Sequence, residues 1–146
     1  MYRQNAMQQY RHAQASAAID SSPYKVISML MQGALDRMVS AKGCIENNDI
    51  AGRNHFIGKA TDIIDCLKNS LEHKHDEEMT SNLDNLYDYM ARRLFHANLK
   101  NCPDTIDEVY GLLDTIYDGW KELEDKLPDA GVSMASVERQ PAPLSK

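Results

Sequence analysis

From Pro23 to Pro103 the chain contains no interior proline, and its apolar residues return every three or four positions over nearly all of that distance. An interior proline breaks a helix at a cost of about 3 kcal/mol, so its absence leaves long helices open. A three-to-four spacing gathers apolar side chains on one helical face. All five prolines, at 23, 103, 128, 141 and 143, stand at expected element ends. No run alternates apolar and polar residues with β-branched enrichment, so no strands are expected.

The pattern divides into four helices. Ser22 can cap the first and Pro23 opens it, where a missing N–H costs nothing. Its apolar positions are Ile27, Leu30, Met31, Ala34, Leu35, Met38, Ala41 and Ile45, and Glu46 to Asp49 form a turn. The second helix reads Ile50, Ile57, Ala60, Ile64, Leu67, Leu71 at heptad spacing, followed by a polar connection from Glu72 to Thr80. The third reads Leu83, Leu86, Tyr87, Met90, Leu94, Ala97, and Asn98 to Pro103 close it. The fourth reads Ile106, Val109, Leu113, Ile116, Trp120, Leu123, Leu127. Its start carries Asp104, Asp107 and Glu108 at the positive end of the helix dipole, and Thr105 with Glu108 has capping-box spacing. Four amphipathic helices with short connections predict an all-α, antiparallel up-and-down four-helix bundle over residues 22–127. Residues 1–21 are polar and read as a flexible N-terminal segment, and residues 128–146, rich in Ala, Ser and Pro, read as a disordered tail.

Charge narrows the function. The chain of 146 residues carries a formal net charge of -6. The excess is concentrated in residues 101–127, which hold eight acids against Lys121 and Lys126. A nucleic-acid binder needs cations to displace counterions from phosphates, so no nucleic-acid partner is expected, nor an anionic membrane surface. No uncharged run approaches the ~20 apolar residues of a bilayer span, and Met1 to Gln14 has no signal core, so the expected location is the cytoplasm. Cys44, Cys66 and Cys102 are odd in number and widely spaced, which suggests small core-lining thiols and neither disulfides nor a zinc site.

Catalytic signatures are not found: there is no glycine-rich phosphate loop, no GxSxG and no HExxH. Glu72 and His75 match the Glu-x-x-His spacing of di-iron bundles, but once only, at a helix end beside Asp76, Glu77 and Glu78, whereas that chemistry needs two such motifs and two more glutamates. A solvated charged turn is the plainer reading, and no cofactor or metal is expected. A binding role has more support. On the first helix, Val26, Ile27, Leu30, Met31, Ala34, Leu35 and Met38 cover an arc of about 180°, with Met29 and Val39 further out, against the ~100° that faces one core. Tyr89 and Phe95 flank the stripe of the third helix. Methionine is over-represented, with five of the eight at 29, 31, 38, 79 and 90, and flexible thioethers suit a surface that fits helical peptides. A helix that touches two neighbours in a bundle shows the same wide arc, so periodicity alone does not choose between groove and core.

The residues also resemble a known family, the flagellin-specific export chaperones of bacterial flagella (FliS). The resemblance runs from about Tyr10 to Leu127. It is carried by Asn82-Leu83, Leu86-Tyr87-Asp88-Tyr89-Met90, Arg92-Arg93-Leu94 and Ala97-Asn98-Leu99, by Lys59-Ala60, Asp62-Ile63-Ile64, Leu67 and Ser70-Leu71, by Ser22-Pro23 and Gly33-Ala34, and by Glu108-Val109 and Trp120. The chain departs from the family at Leu30-Met31-Gln32-Gly33 and around His75 to Glu78, and the tail after Pro128 has no counterpart. The resemblance implies a four-helix bundle whose apolar groove takes the C-terminal segment of unassembled flagellin, with an N-terminal segment that can lie over that groove. By position, Tyr10 would anchor that flap, and Ser22 and Pro23 would fix its junction with the first helix. The candidate groove residues are Ile27, Met31, Leu35, Ile57, Ile64, Leu86, Tyr87 and Met90.

The expected function is therefore that of an export chaperone that is not an enzyme. It binds flagellin's C-terminal segment, prevents premature polymerisation and aids delivery to the flagellar type III export apparatus. Contact with the export gate is left open, as is the choice between monomer and weak homodimer. The alternatives are an adaptor for another amphipathic partner and, remotely, a metal-dependent bundle enzyme.

Overall fold

A computed structural model describes residues 22–71 and 77–126 of the chain. Within them the helices are α1 (Pro23–Glu46), α2 (Ile50–Asn69), α3 (Glu77–Lys100) and α4 (Pro103–Lys126), and no strand occurs among the described residues. At 1.5 Å per residue each is about 30–36 Å long. α1 packs on α2 and α4, and α3 packs on the same two, so the helices form a closed ring around one core. This is the expected antiparallel four-helix bundle.

Each turn has a local cause. At the start of α1 the Ser22 side chain accepts from the Lys25 N–H at 2.9 Å and Pro23 takes the first position, as the sequence leads one to expect. Between α1 and α2 the chain reverses in three residues. Asn48 takes a left-handed φ of 57°, which Asn tolerates better than most residues. Asp49 then caps α2, accepting from the Gly52 N–H at 2.9 Å. Gly52 is required by close approach: a Cβ there would lie 2.4 Å from Asp49 Oδ2 and 2.6 Å from Cys44 Sγ.

Four polar joints tie elements that run in opposite directions. Lys42 at the end of α1 meets Asp107 at the start of α4 at 2.7 Å, and the bond to Asp107 raises the lysine pKa. Arg53 at the start of α2 donates from Nε to Asn98 and from Nη1 to Asn101 at the end of α3, both at 2.8 Å. Lys68 at the end of α2 lies 3.4 Å from Asp84 and 3.5 Å from Asp88 in the first half of α3, its pKa raised first by the bond to Asp84. Between α3 and α4, Tyr89 and Arg93 both donate to Glu108. These half-exposed pairs contribute little energy individually, and their value is in fixing register.

The core takes side chains from every helix: Leu30, Met31, Leu35 and Met38 from α1, Ile57, Ile63, Ile64 and Leu67 from α2, Tyr87, Met90 and Leu94 from α3, and Ile106, Val109 and Leu113 from α4. Burying each of the large ones contributes about 1.5–3 kcal/mol relative to exposure. The wide arc on α1 is explained by its two neighbours: all of it but Ile27 is buried, and Ile27 packs half-buried against the core.

Three local expectations are corrected. α3 begins at Glu77, inside the stretch expected to be a polar connection up to Thr80. Apolar periodicity marks where a helix meets the core, and α3 starts earlier, with Glu78 favoured near its positive end. Thr105 does not cap α4. The helix opens at Pro103, Thr105 is buried and donates its hydroxyl to Cys102 Sγ at 3.3 Å, and Glu108 is engaged by Tyr89 and Arg93. Cys102 takes the capping place: hydrogen bonds from the Thr105 hydroxyl and the backbone N–H groups of Thr105 and Asp104 lower its thiol pKa. Finally, the outer members of two apolar seams are exposed, Ile50 at 63% and Leu123 at 40%, because both stand at helix ends beyond the neighbouring helices. The three cysteines are half-buried at the core's margin.

Candidate binding groove

A shallow concavity lies on the surface between α1 and α4. One part, about 540 Å³, is lined by Lys25, Ser28, Met29, Gln32, Gly33 and Asp36 of α1 and by Tyr117, Lys121 and Asp125 of α4. A second part, about 410 Å³, lies towards the other end and is lined by Val39, Lys42, Gly43, Glu46, Asp107 and Tyr110. The residues repeat at helical spacing, so the two parts follow one stripe on each helix.

The sequence produces this groove by mixing sizes on the outer face of α1. Gly33 and Gly43 remove side-chain bulk, while Met29 (50% exposed) and Val39 (57% exposed) leave apolar surface in solvent. Ten residues separate these two, about 15 Å along the axis, which is between two and three helical turns. From α4, Tyr110 and Tyr117 supply half-buried aromatic walls. Lys121 Nζ stands 4.4 Å from the Tyr117 ring centre, a cation–π arrangement that holds charge at the groove's mouth. The rim alternates Lys25, Lys42 and Lys121 with Asp36, Glu46, Asp107 and Asp125.

The candidate residues read from sequence are distributed differently. Met31, Leu35, Ile57, Ile64, Tyr87 and Met90 are enclosed in the core, each 3% exposed or less. They support the fold, and burial pushes the Tyr87 hydroxyl up to about 12. The reason is geometric: their stripes face the bundle axis, where all four helices meet. Ile27 and Leu86 are half-buried against the core. Ser22 and Pro23 form the start of α1. Tyr10 lies outside the described residues, as does the Glu72–His75 motif. Sequence reasoning noted Met29 and Val39 as lying beyond the α1 arc without choosing them. It missed Tyr110, Tyr117 and Gly43, whose signal was a second, weaker stripe on the side of α4 facing α1. Phe95 and Leu99, 70% and 67% exposed and one turn apart on α3, form a separate apolar pair.

The groove presents apolar anchors, aromatic walls and exposed charges, the components of a site for an amphipathic peptide. Among the described residues no group of three or more His, Cys, Asp or Glu side chains is placed to hold a metal ion. None of their helices is long and apolar enough to cross a membrane.

These features define an all-α four-helix bundle with a grooved surface. The sequence profile of the family described as Flagellar protein FliS matches residues 3–127, and the chain belongs to that family. It is 40% identical over 121 residues to the flagellar secretion chaperone FliSB of Pseudomonas aeruginosa, an alignment covering 82% of this chain and 96% of that one. It is 38% identical over 128 residues to the flagellar secretion chaperone FliS of Salmonella typhimurium, covering 86% and 95%. With the FliS of Bacillus subtilis the identity is 33% over 113 residues, covering 77% and 84%. The protein is thus a flagellar secretion chaperone by family and not an enzyme, and its family implies a partner in flagellar export.

Proposed function

We propose that this protein is a cytoplasmic chaperone for unassembled flagellin and that the α1–α4 groove is a docking surface for flagellin's C-terminal segment. The observation that carries this reading is the pair Met29 and Val39, exposed along one groove between tyrosine walls. An amphipathic client segment covers such a row with one apolar face, the helix-in-groove mode of recognition. While covered, that face is unable to coil with other flagellin subunits. The client is ordered on binding, so useful affinity needs a long wrapped surface, to which Phe95 and Leu99 on α3 would add. Delivery to the type III export apparatus follows, with the client held unassembled and without nucleotide.

The test is isothermal titration of the chain with full-length flagellin and with flagellin lacking its last ~40 residues, a length sufficient as helix to cross the bundle and return. Binding to the first alone is the expected result, and its loss in Met29→Asp places the contact in the groove. No binding to either by a folded sample leaves the adaptor reading, with another amphipathic segment as partner.

A further inference from the structure

Away from the groove, the C-terminal end of α3 carries its apolar pair in a setting of charge unlike the rest of the chain. We propose that this face is a second docking surface and that it takes an acidic amphipathic helix of the client, so that charge as well as apolar contact holds the client there. This deepens the reading above, on which the identity of the client rests; the chemistry of the surface does not depend on it.

Four observations lead to it. First, Phe95 and Leu99 are 70% and 67% exposed and stand one turn apart, an apolar step left open on a helix face. Second, the charge is local: residues 91–100 hold Arg92, Arg93 and Lys100 and no acid, in a chain whose net charge is -6. Third, two of these cations have no carboxylate to answer them. Lys42, Lys68, Arg93, Lys121 and Lys126 each pair with an acid, whereas among the described residues Arg92 and Lys100 enter no ion pair. Arg92 is exposed, with its guanidinium 6.0 Å from the centre of the Tyr89 ring. Arg92 and Lys100 are eight residues apart, so they fall in one row, about 12 Å long, beside the row of Phe95 and Leu99. Fourth, the surface is set before a partner arrives. Asn98 and Asn101, on either side of Leu99 in the chain, both accept from Arg53 of α2, which fixes the end of α3.

The matching segment follows from this arrangement. It is a helix with two apolar residues one turn apart and acids about two turns apart on the adjoining row. Such acids are repelled by residues 101–127, with eight acids against Lys121 and Lys126, so charge admits the helix at the end of α3 and turns it away from α4. A basic helix has the opposite preference. Two linked contacts reinforce each other. At an effective concentration of about 1 mM, a second contact with its own dissociation constant of about 0.1 mM tightens the client about tenfold. Exposed charges are screened within about 3 Å at 1 M salt, so the share of that gain owed to Arg92 and Lys100 disappears there while apolar contact remains.

The experiment uses two synthetic peptides of about 15 residues, each with Leu pairs one turn apart, one carrying Glu and the other Lys on the adjoining row. The full chain and its variant Arg92→Glu, Lys100→Glu are titrated with each, following the Leu99 methyl signals by NMR, with circular dichroism to check that both are folded. The proposal expects the Glu peptide to shift Leu99 in the parent and the Lys peptide to do so in the variant. No shift by the Glu peptide in the parent overturns it. So does an equal shift by both peptides, which is apolar adhesion without selection by charge. A parent signal that moves with protein concentration puts a second copy on the surface and overturns it as well. In the client arm, flagellin binds the variant about tenfold more weakly than the parent at low salt and equally at 1 M salt, whereas Phe95→Ser weakens binding at both. Equal affinity of parent and variant at low salt overturns the assignment to the client. If flagellin binds neither chain, the flagellin reading fails while the peptide comparison still decides the surface.

Discussion

Trp120 Nε1 donates to the backbone carbonyl of Tyr24 at 2.9 Å, joining residues 96 apart in sequence, and the two rings lie 5.0 Å apart. The contact closes the ring of helices where α1 begins and α4 ends, next to the mouth of the groove. The chain enters the bundle at one side of this joint and leaves it at the other.

Trp120→Phe keeps a ring and loses the hydrogen bond, so it should cost about 1 kcal/mol. Trp120→Ala removes the ring as well and should cost about 3 kcal/mol. Urea unfolding followed by circular dichroism, with the midpoint falling at constant slope, checks both.

Met29 and Met31 are two residues apart, but Met29 is 50% exposed in the groove and Met31 is 2% exposed in the core. Met31→Asp buries an unpaired carboxylate and should unfold the bundle. Met29→Asp should leave helicity and thermal midpoint nearly unchanged and weaken client binding at least tenfold. Thermal melts and calorimetric titration of the two variants, side by side, decide it.

Glu108 accepts from Tyr89 and Arg93, and these bonds, Tyr89 first, hold its carboxyl below its ordinary value of 4.5. A lowered folded pKa means that the stabilisation is present above the unfolded pKa and is lost as pH falls through the folded one. The stability gap between the parent and Glu108→Gln should therefore be full above about pH 5 and shrink at lower pH. Parallel urea titrations at pH 6 and pH 3.5 measure it, and a gap that stays constant contradicts the assignment.

Asn101 combines a left-handed φ of 54° with a side chain that accepts from Arg53. Asn101→Ala should lose both and cost about 1–2 kcal/mol. Asn101→Gly restores the backbone freedom and should cost less than about 1 kcal/mol. The order of the two midpoints in urea is the readout.

Two glycines should respond with opposite sign. Gly52→Ala forces a Cβ into Asp49 and Cys44, disturbing the cap of α2, and should cost about 1–3 kcal/mol. A Cβ at Gly111 meets nothing within 4 Å, and Gly111→Ala, in the exposed interior of α4, should stabilise by about 0.5–1 kcal/mol. Differential scanning calorimetry resolves both shifts.

How far the sequence could be read depended on the range of each cause. The four helices, the cap at Ser22, the turn before Asp49 and most of the core stripe are local facts, set by side chains within a turn or two of one another. The start of α3 was misplaced because its first residues make few core contacts and so leave no apolar period. The cap of α4 was misassigned because Thr105 and Glu108 have the right spacing, and only the approach of Tyr89 and Arg93 from α3 shows where that carboxylate goes.

By itself the sequence determined that this chain forms a four-helix bundle of the FliS family, since periodicity, proline placement and ordered motifs are properties of the chain read one segment at a time. Only the tertiary structure decided which apolar residues are core and which are surface. Met31, Leu35 and Met90 have the same chemistry as Met29 and Val39. What separates them is which side of a helix its two neighbours cover, and that follows from the closed ring of α1, α2, α3 and α4.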